Sequence, residues 1–318
     1  MQISKIIIPV RPQPDTIIAI YLLKRFGQEK FSGILNAEII IDPNAGKIGD
    51  DENQRLGNLL IDNGGGAYDH HGRKPETCAS FLVAKDLGIS SDPALSKLIH
   101  YAERDDKFGL GTISKDQLDR TFGLSGIIGT LNKQFPHDSE KVINLITPLI
   151  ESHYAEEVKR IHELPALYKN LVSEGKTTEL NYGEFKIVLL ESDNISLPGY
   201  LRAQVGGNYD IVVQRCSSGH VNILSRIKKQ KKIPLERLIA VIRGAEYYMH
   251  NGKEINKKYA DLIIPTRISE VPNWYYDQAT NSIQNGGVHT DATPVTEIPW
   301  DHFPTILELA FNEKPNTQ

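Results

Sequence analysis

Short apolar runs recur through the first sixty residues of the chain. Ile3 to Val10 is rich in β-branched residues, and Ala37 to Ile41 and Leu56 to Ile61 repeat the signal. Runs of this length and composition are typical of strands buried on both faces of a parallel sheet. The pattern therefore predicts three strands of an open, mostly parallel α/β sheet.

Helical patterns alternate with these strands. The apolar residues from Ile17 to Leu23 predict a largely buried helix, which we expect to be capped by Asp15 or Thr16 and to end near Gly27. Further helical patterns occupy three later stretches: 77–87, about 92–106 and most of 115–174. We interpret residues 111–180 as a helical connector.

Strand signals return in the last part of the chain, at Phe185 to Leu190, Asp210 to Gln214 and His220 to Leu224. Helices are predicted near Leu235 to Tyr248 and at Phe303 to Phe311. The remainder of 251–318 is polar, and 165–182 resembles a linker. The predicted organisation is an α/β domain over 1–110, the connector, and a smaller C-terminal α/β domain over 181–318.

The composition and charge of the chain limit the classes of protein to which it can belong. The 318 residues suggest about two domains, and 36 basic against 40 acidic residues give a net charge of −4. This charge excludes a chain that binds nucleic acid or membrane over its whole surface. No apolar run reaches the roughly 18 residues that span a bilayer, so we expect no membrane association. Two distant cysteines, Cys78 and Cys216, fit a reducing compartment, and the cytoplasm is the expected location.

Candidate chemical groups follow the predicted strands and helices. Asp15 follows the first strand, Asp62 follows the third, and Asp69-His70-His71 comes just beyond it. Glu103 and Asp105-Asp106 lie near the end of a helix. Because loops at the carboxyl ends of parallel strands converge, these groups are expected to meet around a divalent ion. Carboxylates with imidazole suit Mn²⁺, with Mg²⁺ as the alternative, and such an ion promotes phosphoester hydrolysis.

Each group also has a purely structural interpretation. Asp15 is equally well explained as a helix cap, and Asp62 as a support for the glycine-rich turn that follows it. Adjacent histidines are common in surface loops, and Asp105-Asp106 is compatible with a solvated helix end. The combination, rather than any single residue, favours the metal site.

These motifs resemble those of the DHH phosphoesterase superfamily. The resemblance rests on the N-terminal strand and its Pro-x-Pro-Asp loop, on Ile61-Asp62, on Asp69-His70-His71-Gly72 and on Asp105-Asp106. The segment from Asp62 to His71 is most similar to the melanocyte-proliferating-gene-type branch, whose members are metal-dependent hydrolases or exonucleases. The resemblance covers about residues 3–110 and only the outline of the remainder.

The resemblance implies a role for each matched residue. Asp62 would bridge two metal positions, Asp15 would serve the first, and His70 with Asp105 or Asp106 would serve the second. His71 would orient the substrate phosphate or the attacking water, and Asp69 is a further candidate catalytic residue.

The chain departs from the family pattern at two positions. Members usually carry a histidine at the start of the first motif and an acidic residue after its aspartate, where this chain has Arg11 and Ile17. Arg11 is therefore a candidate phosphate clamp in a one-metal enzyme centred on Asp62 and His70. The same departures favour the alternative of a non-catalytic relative that binds a nucleotide or serves as a scaffold.

Substrate recognition is predicted to lie in the C-terminal domain. Arg226 begins the densest basic stretch of the chain, and a glycine-rich segment further on is a weak candidate for phosphate binding. The predicted substrate-binding residues are Arg226, Lys228, Lys229, Gly286, Gly287 and His289. A plain turn and an exposed loop explain these two segments better than phosphate binding does. Trp274, Tyr275 and Tyr276 are better explained by core packing than by base stacking.

The hypothesis from sequence is a metal-dependent phosphoesterase that hydrolyses short oligonucleotides or nucleotides. Its partner would be a phosphate-containing small molecule or a short nucleic acid, and a homodimer is compatible with the sequence. An inorganic pyrophosphatase is a third interpretation, which the exposed lysines around 228–232 disfavour.

Overall fold

The computed structural model describes residues 1–72, 77–109, 111–227, 232–286 and 292–312. The chain divides into two compact units, Met1–Ile161 and His162–Gln318. Both units combine helices with a sheet, which confirms the predicted α/β class. Among the described residues, no helix is long and apolar enough to cross a membrane.

The first unit contains a three-stranded parallel sheet. Its strands are β1 (Lys5–Ile8), β2 (Glu38–Ile41) and β3 (Asn58–Leu60), in the order β2-β1-β3. All three lie within the apolar runs of the sequence, so the predicted strands and their parallel arrangement are confirmed. In β1 the three isoleucines are buried, as expected for a central strand covered on both faces.

Helix α1 (Pro14–Phe26) connects the first two strands and lies almost entirely in the core. Proline suits the first helical position because its fixed φ is helical and its missing N–H costs no hydrogen bond there. The N-cap is therefore Gln13, and the Gln13 backbone N–H donates to the Thr16 hydroxyl at 3.4 Å. The predicted caps Asp15 and Thr16 are wrong, because both lie inside the first turn.

The other helices of the first unit cover the sheet and one another. They are α2 (Asp50–Arg55), α3 (Ala79–Asp86), α4 (Ser96–Phe108), α5 (Gln117–Phe122), α6 (Leu124–Gln134) and α7 (Ser139–Val158). Side chains of α6 and α7, such as Ile128, Val142 and Ile146, lie in the same hydrophobic core as β1 and α1. Residues 111–161 of the proposed connector therefore belong to the first unit.

The second unit is built on a seven-stranded mixed sheet in the order β4-β5-β6-β7-β10-β9-β8. Among the described strands of this sheet, β5 and β6 form the one parallel pair. The strands are β4 (Thr177–Tyr182), β5 (Phe185–Glu191), β6 (Ile211–Arg215), β7 (Val221–Ser225), β8 (Thr266–Ile268), β9 (Val271–Asp277) and β10 (Ser282–Asn285).

Helices cover both faces of this sheet. They are α8 (Leu164–Ser173), α9 (Leu197–Arg202), α10 (Glu236–Asn251), α11 (Tyr259–Leu262) and α12 (Phe303–Phe311). In β5, Ile187 and Leu189 enter the core that contains α10 and α12, whereas Val188 and Leu190 enter the core beside α8 and α9. This alternation is the two-residue period of a strand.

Two predictions about the second unit are wrong. Strand β4 lies in the segment that resembled a linker, and β8 to β10 lie in the region predicted to be polar apart from one helix. Strand β4 is at an edge of the sheet. None of its six side chains is buried and three are exposed, so it carries no apolar signal. The predicted core positions of Trp274 and Tyr276, in β9, are confirmed, whereas Tyr275 between them is only partly buried because it points to the other face of the strand.

Candidate metal centre

Asp15 lies buried at the start of α1, just beyond the carboxyl end of β1. One of its oxygens, Oδ2, accepts a 2.7 Å hydrogen bond from the backbone N–H of Ala79, the first residue of α3. The side chain therefore faces two helix N-termini, where negative charge is favoured. Its other oxygen, Oδ1, lies 3.5 Å from the hydroxyl of Thr16.

Asp62 lies at the point where the chain leaves β3. It adopts a left-handed backbone conformation with φ of 54°, and its N–H donates to the carbonyl of Tyr68 at 3.1 Å. The intervening loop requires glycine at position 64, because a Cβ there would lie 2.6 Å from Leu60 and 2.9 Å from the backbone of Gly46. This tight loop returns the chain to Asp62 and brings Asp69-His70-His71 beside it.

The two carboxylate oxygens of Asp62 have different surroundings. Oδ2 accepts a 2.8 Å hydrogen bond from the hydroxyl of Thr16. Oδ1 is buried without a hydrogen-bond partner, although Nε2 of His70 lies 3.1 Å away. A buried carboxylate oxygen left in this way is costly unless a cation supplies the missing interaction.

His70 also approaches Asp106, near the end of α4. Their Nε2 and Oδ1 atoms are 3.5 Å apart, and 12% of the His70 side chain is exposed against 30% of that of Asp106. The imidazole nitrogen is therefore placed between two carboxylates from distant parts of the chain, Asp62 and Asp106.

The donor atoms have the spacing expected of ligands that share one ion. The ligand atoms of Asp15, His70 and Asp106 all lie within 4.8 Å of one another, as do those of Asp62, His70 and His71. Ligands about 2.1 Å from a divalent ion are separated by roughly 3.0–3.4 Å when they are adjacent. The 3.1 Å and 3.5 Å separations around His70 fit this requirement.

Electrostatics within the cluster favour a cation. Burial and the neighbouring charge of Asp62 raise the pKa of Asp15. Burial also raises the pKa of Asp62 and of Asp106. Three carboxylates therefore resist ionisation together in the metal-free protein, and a divalent cation would relieve both their desolvation and their repulsion.

A second imidazole, that of His71, is held by Asp69. The Nδ1 atom of His71 lies 2.7 Å from Oδ1 of Asp69, and the backbone N–H of Gly65 donates to Oδ2 of the same carboxylate at 2.7 Å. Burial of Asp69 would raise its pKa, but these hydrogen bonds outweigh burial and lower it. The hydrogen bond between His71 and Asp69 raises the pKa of His71. With Nδ1 engaged, Nε2 of His71 remains for a ligand or substrate.

Of the two acidic residues that the sequence left as alternatives, one lies in the cluster and the other does not. Asp106 belongs to the cluster, whereas Asp105 is buried on another side of α4 and forms a hydrogen bond with Ser125. Burial raises the pKa of Asp105. Adjacent residues on a helix point about 100° apart, which explains why only one of them reaches His70.

The cluster opens into a cavity of about 290 Å³ lined in part by His70, His71 and Asp106. Thr77 and Lys107 also line this cavity, and the Thr77 hydroxyl oxygen is buried without a hydrogen-bond partner. The sequence pattern indicated neither Thr77 nor Thr16 as a member of the site. The only signal for Thr16 in the sequence was its position next to the predicted ligand Asp15.

The positions that depart from the family pattern have different environments. Arg11 is exposed in the loop between β1 and α1. Ile17 is fully buried in the hydrophobic core of the first unit, so its position contributes packing rather than a ligand.

The predicted substrate residues of the second unit are only partly within the described residues. Arg226 forms an ion pair with Asp210 at 2.9 Å. Gly286 has φ of 95°, and a Cβ there would lie 2.6 Å from the ring of His220. Lys228, Lys229, Gly287 and His289 lie outside the described residues.

No protein-family model matches the chain, and no curated protein matches its sequence.

Proposed function

We propose that the protein is a metal-dependent phosphoesterase of the DHH type that acts on short oligonucleotides or nucleotides. The observation that carries this proposal is a pair of ligand groups that share His70: Asp15 and Asp106 lie with it in one group, and Asp62 lies with it in the other. Oδ1 of Asp62 is buried there without a hydrogen-bond partner. Structural carboxylates are normally satisfied by hydrogen bonds, so this arrangement is better explained by a bound cation than by stability.

The same four residues would hold the ion, for which Mn²⁺ is the first candidate and Mg²⁺ the second. A mixed carboxylate and imidazole set suits Mn²⁺ slightly better than Mg²⁺, which prefers oxygen ligands alone. When bound, such an ion polarises a phosphoryl oxygen and lowers the pKa of coordinated water.

The chain's own residues would position the substrate. Asp69 fixes the orientation of His71 through its Nδ1 atom, so the Nε2 atom of His71 would orient a phosphate oxygen or the attacking water. The exposed Arg11 is proposed as a phosphate contact. The cavity of about 290 Å³ beside these groups suits the terminal nucleotide of a short chain.

A non-catalytic nucleotide-binding protein is the second candidate. It is favoured by position 17, where a buried isoleucine stands in place of the acidic residue expected of an active family member. Such a protein would bind a nucleotide without turning it over.

The test is hydrolysis of short end-labelled oligonucleotides in the presence of Mn²⁺ by the wild-type protein, by Asp62→Asn and by Asp42→Asn. Asp42 is a matched control because it also follows a strand, β2, but lies outside the cluster. We expect turnover that chelation abolishes, a loss of at least a hundredfold in Asp62→Asn, and no loss in Asp42→Asn. Absence of turnover in the wild-type protein, or equal turnover in all three, would refute the proposed activity.

A further inference from the structure

A second cavity lies in the first unit, between α4, α6 and α7. Its volume is about 580 Å³, twice that of the cavity at the metal cluster, and a cavity of this size holds a small organic molecule. It shares no lining residue with the cavity at the cluster.

The walls of this cavity are mostly apolar. Leu98 and the ring of Tyr101 contribute from α4, Leu124 from α6, and Leu149 and Ile150 from α7. Leu149 is 54% exposed, so an apolar wall is open to water. Covering such a surface with an apolar ligand is favourable by about 25 cal/mol per Å².

Apart from the hydroxyl of Tyr101, the polar groups of the lining are basic. They are Lys97, His100 and Arg104 from α4 and His153 from α7, and no carboxylate side chain lines the cavity. An apolar cavity edged by basic groups without carboxylates selects a ligand that carries acceptors and negative charge.

Arg104 is one of two permanently charged groups in the lining, the other being Lys97. One of its terminal nitrogens donates to the carbonyl of Gly111, and its guanidinium stacks over the ring of Tyr101 at 5.6 Å. Its Nε atom is buried without a hydrogen-bond partner. Within the described part of the chain, no carboxylate forms an ion pair with Arg104. Its positive charge does act on the neighbouring carboxyl group of Asp105, where it counters the rise in pKa caused by burial.

Lys97 differs from Arg104 because it already has a partner. Its Nζ atom lies 2.8 Å from Oε1 of the buried Glu157. That ion pair neutralises Lys97 and leaves Arg104, about two turns further along α4, as the fixed positive charge of the lining.

We propose that this cavity binds a small amphiphilic anion, with its apolar body against Leu98, Leu149 and Ile150 and its single acidic head group on Arg104. The assignment follows from an apolar lining of suitable volume, from basic groups without lining carboxylates, and from an arginine that has no ion-pair partner among the described residues. It does not depend on the proposed phosphoesterase activity.

The test uses two fluorescent probes that share an apolar body but differ in charge. Anilinonaphthalene sulfonate carries one negative charge, and phenylnaphthylamine is the neutral counterpart. We expect saturable binding of the sulfonate to the folded protein at one site. We expect Arg104→Met to weaken it at least tenfold and to change binding of the neutral probe by less than twofold.

Two leucines on α7 provide a matched pair of variants. Leu149 is 54% exposed and lines the cavity, whereas Leu145 is 48% exposed and does not. We expect Leu149→Asp to weaken binding of both probes at least tenfold and Leu145→Asp to leave both within twofold of wild type. Because both side chains are already half exposed, both variants are expected to fold, which far-ultraviolet circular dichroism and the melting temperature check.

Equal binding of the sulfonate by wild type, Arg104→Met and Leu149→Asp would overturn the proposal, as would an equal loss in Leu145→Asp. The shape of the apolar body is tested by displacement of the sulfonate probe. An acyl anion, dodecanoate, is compared with an aromatic anion, naphthyl phosphate. Displacement by either supports the site, and failure of both contradicts it.

Discussion

The hydroxyl of Thr16 donates a 2.8 Å hydrogen bond to Oδ2 of Asp62, although 46 residues separate the two in the chain. This bond fixes the carboxylate so that its other oxygen faces His70. Thr16 is therefore a positioning residue for the proposed metal ligand Asp62, in the way that outer hydrogen bonds orient metal ligands in general.

Replacement of Thr16 tests this role. We expect Thr16→Val to weaken Mn²⁺ binding by about 10–100-fold, because the carboxylate of Asp62 loses the bond that orients it. Thr16→Ser retains the hydroxyl and should bind Mn²⁺ within a few-fold of wild type. Isothermal titration with Mn²⁺ measures both, and equal affinity of the valine and serine variants would contradict the role.

Asp15→Asn should have opposite effects on stability with and without metal. Burial and the charge of Asp62 raise the pKa of Asp15, so its ionised form is unfavourable in the metal-free protein. Asparagine keeps an acceptor for the N–H of Ala79 and removes that charge. In chelator we expect a gain of about 1 kcal/mol, roughly 2–4 °C in melting temperature, and in Mn²⁺ we expect the stabilisation by metal to be largely lost.

The direction of the pKa shift of Asp15 determines how the effect of Asp15→Asn on stability changes with pH. An acid whose pKa is raised on folding above its ordinary value of 3.8 contributes stability below about pH 4 and loses it as pH rises through the folded pKa. Asparagine does not titrate, so its advantage in chelator should be larger at pH 8 than at pH 5. A melting-temperature difference that is larger at pH 5 would be inconsistent with repulsion in the cluster.

Asp105 and Asp106 should respond differently to the same substitution. Asp106 lies with His70 in the cluster, whereas Asp105 forms a hydrogen bond with Ser125. We expect Asp106→Asn to weaken Mn²⁺ binding at least tenfold and Asp105→Asn to change it less than threefold. Titration of the two variants side by side decides between them, and a greater loss in Asp105→Asn would reverse the assignment.

The two free cysteines should differ in reactivity. Burial raises the pKa of the Cys78 thiol to about 12, whereas Cys216 is only partly buried. Because the thiolate is the reactive form, we expect one thiol of the native protein to react with a disulfide reagent at pH 8 and two to react after denaturation. Rapid reaction of both thiols in the native state would show that Cys78 is not held in the core.

The sequence predicted the parallel strands and α1 well because their side chains are buried on most sides. In β1, three consecutive isoleucines lie in the core, which produces a continuous apolar signal. Strand β4 at the sheet edge is the opposite case: none of its six residues is buried, and its polar sequence was indistinguishable from a linker. Such a strand is recognised only through its pairing with β5, which lies outside any local pattern.

Part of the candidate metal centre was also predictable. Asp15 and Asp62 follow strand ends, and parallel topology is sufficient to bring such positions together. The choice between Asp105 and Asp106 was not predictable, because it depends on the rotation of α4. The contribution of Thr16 was not predictable either, because it depends on a contact between the first turn of α1 and the start of the loop that follows β3.

The most direct measurement is an equilibrium titration of chelator-treated protein with Mn²⁺, for wild type, Asp62→Asn and Asp42→Asn. If Asp15, Asp62, His70 and Asp106 share a cation, the wild-type protein and Asp42→Asn bind Mn²⁺ with equal affinity and Asp62→Asn binds it at least a hundredfold more weakly. Failure of the wild-type protein to bind Mn²⁺, or equal affinity in Asp62→Asn, would contradict a shared ion at this cluster.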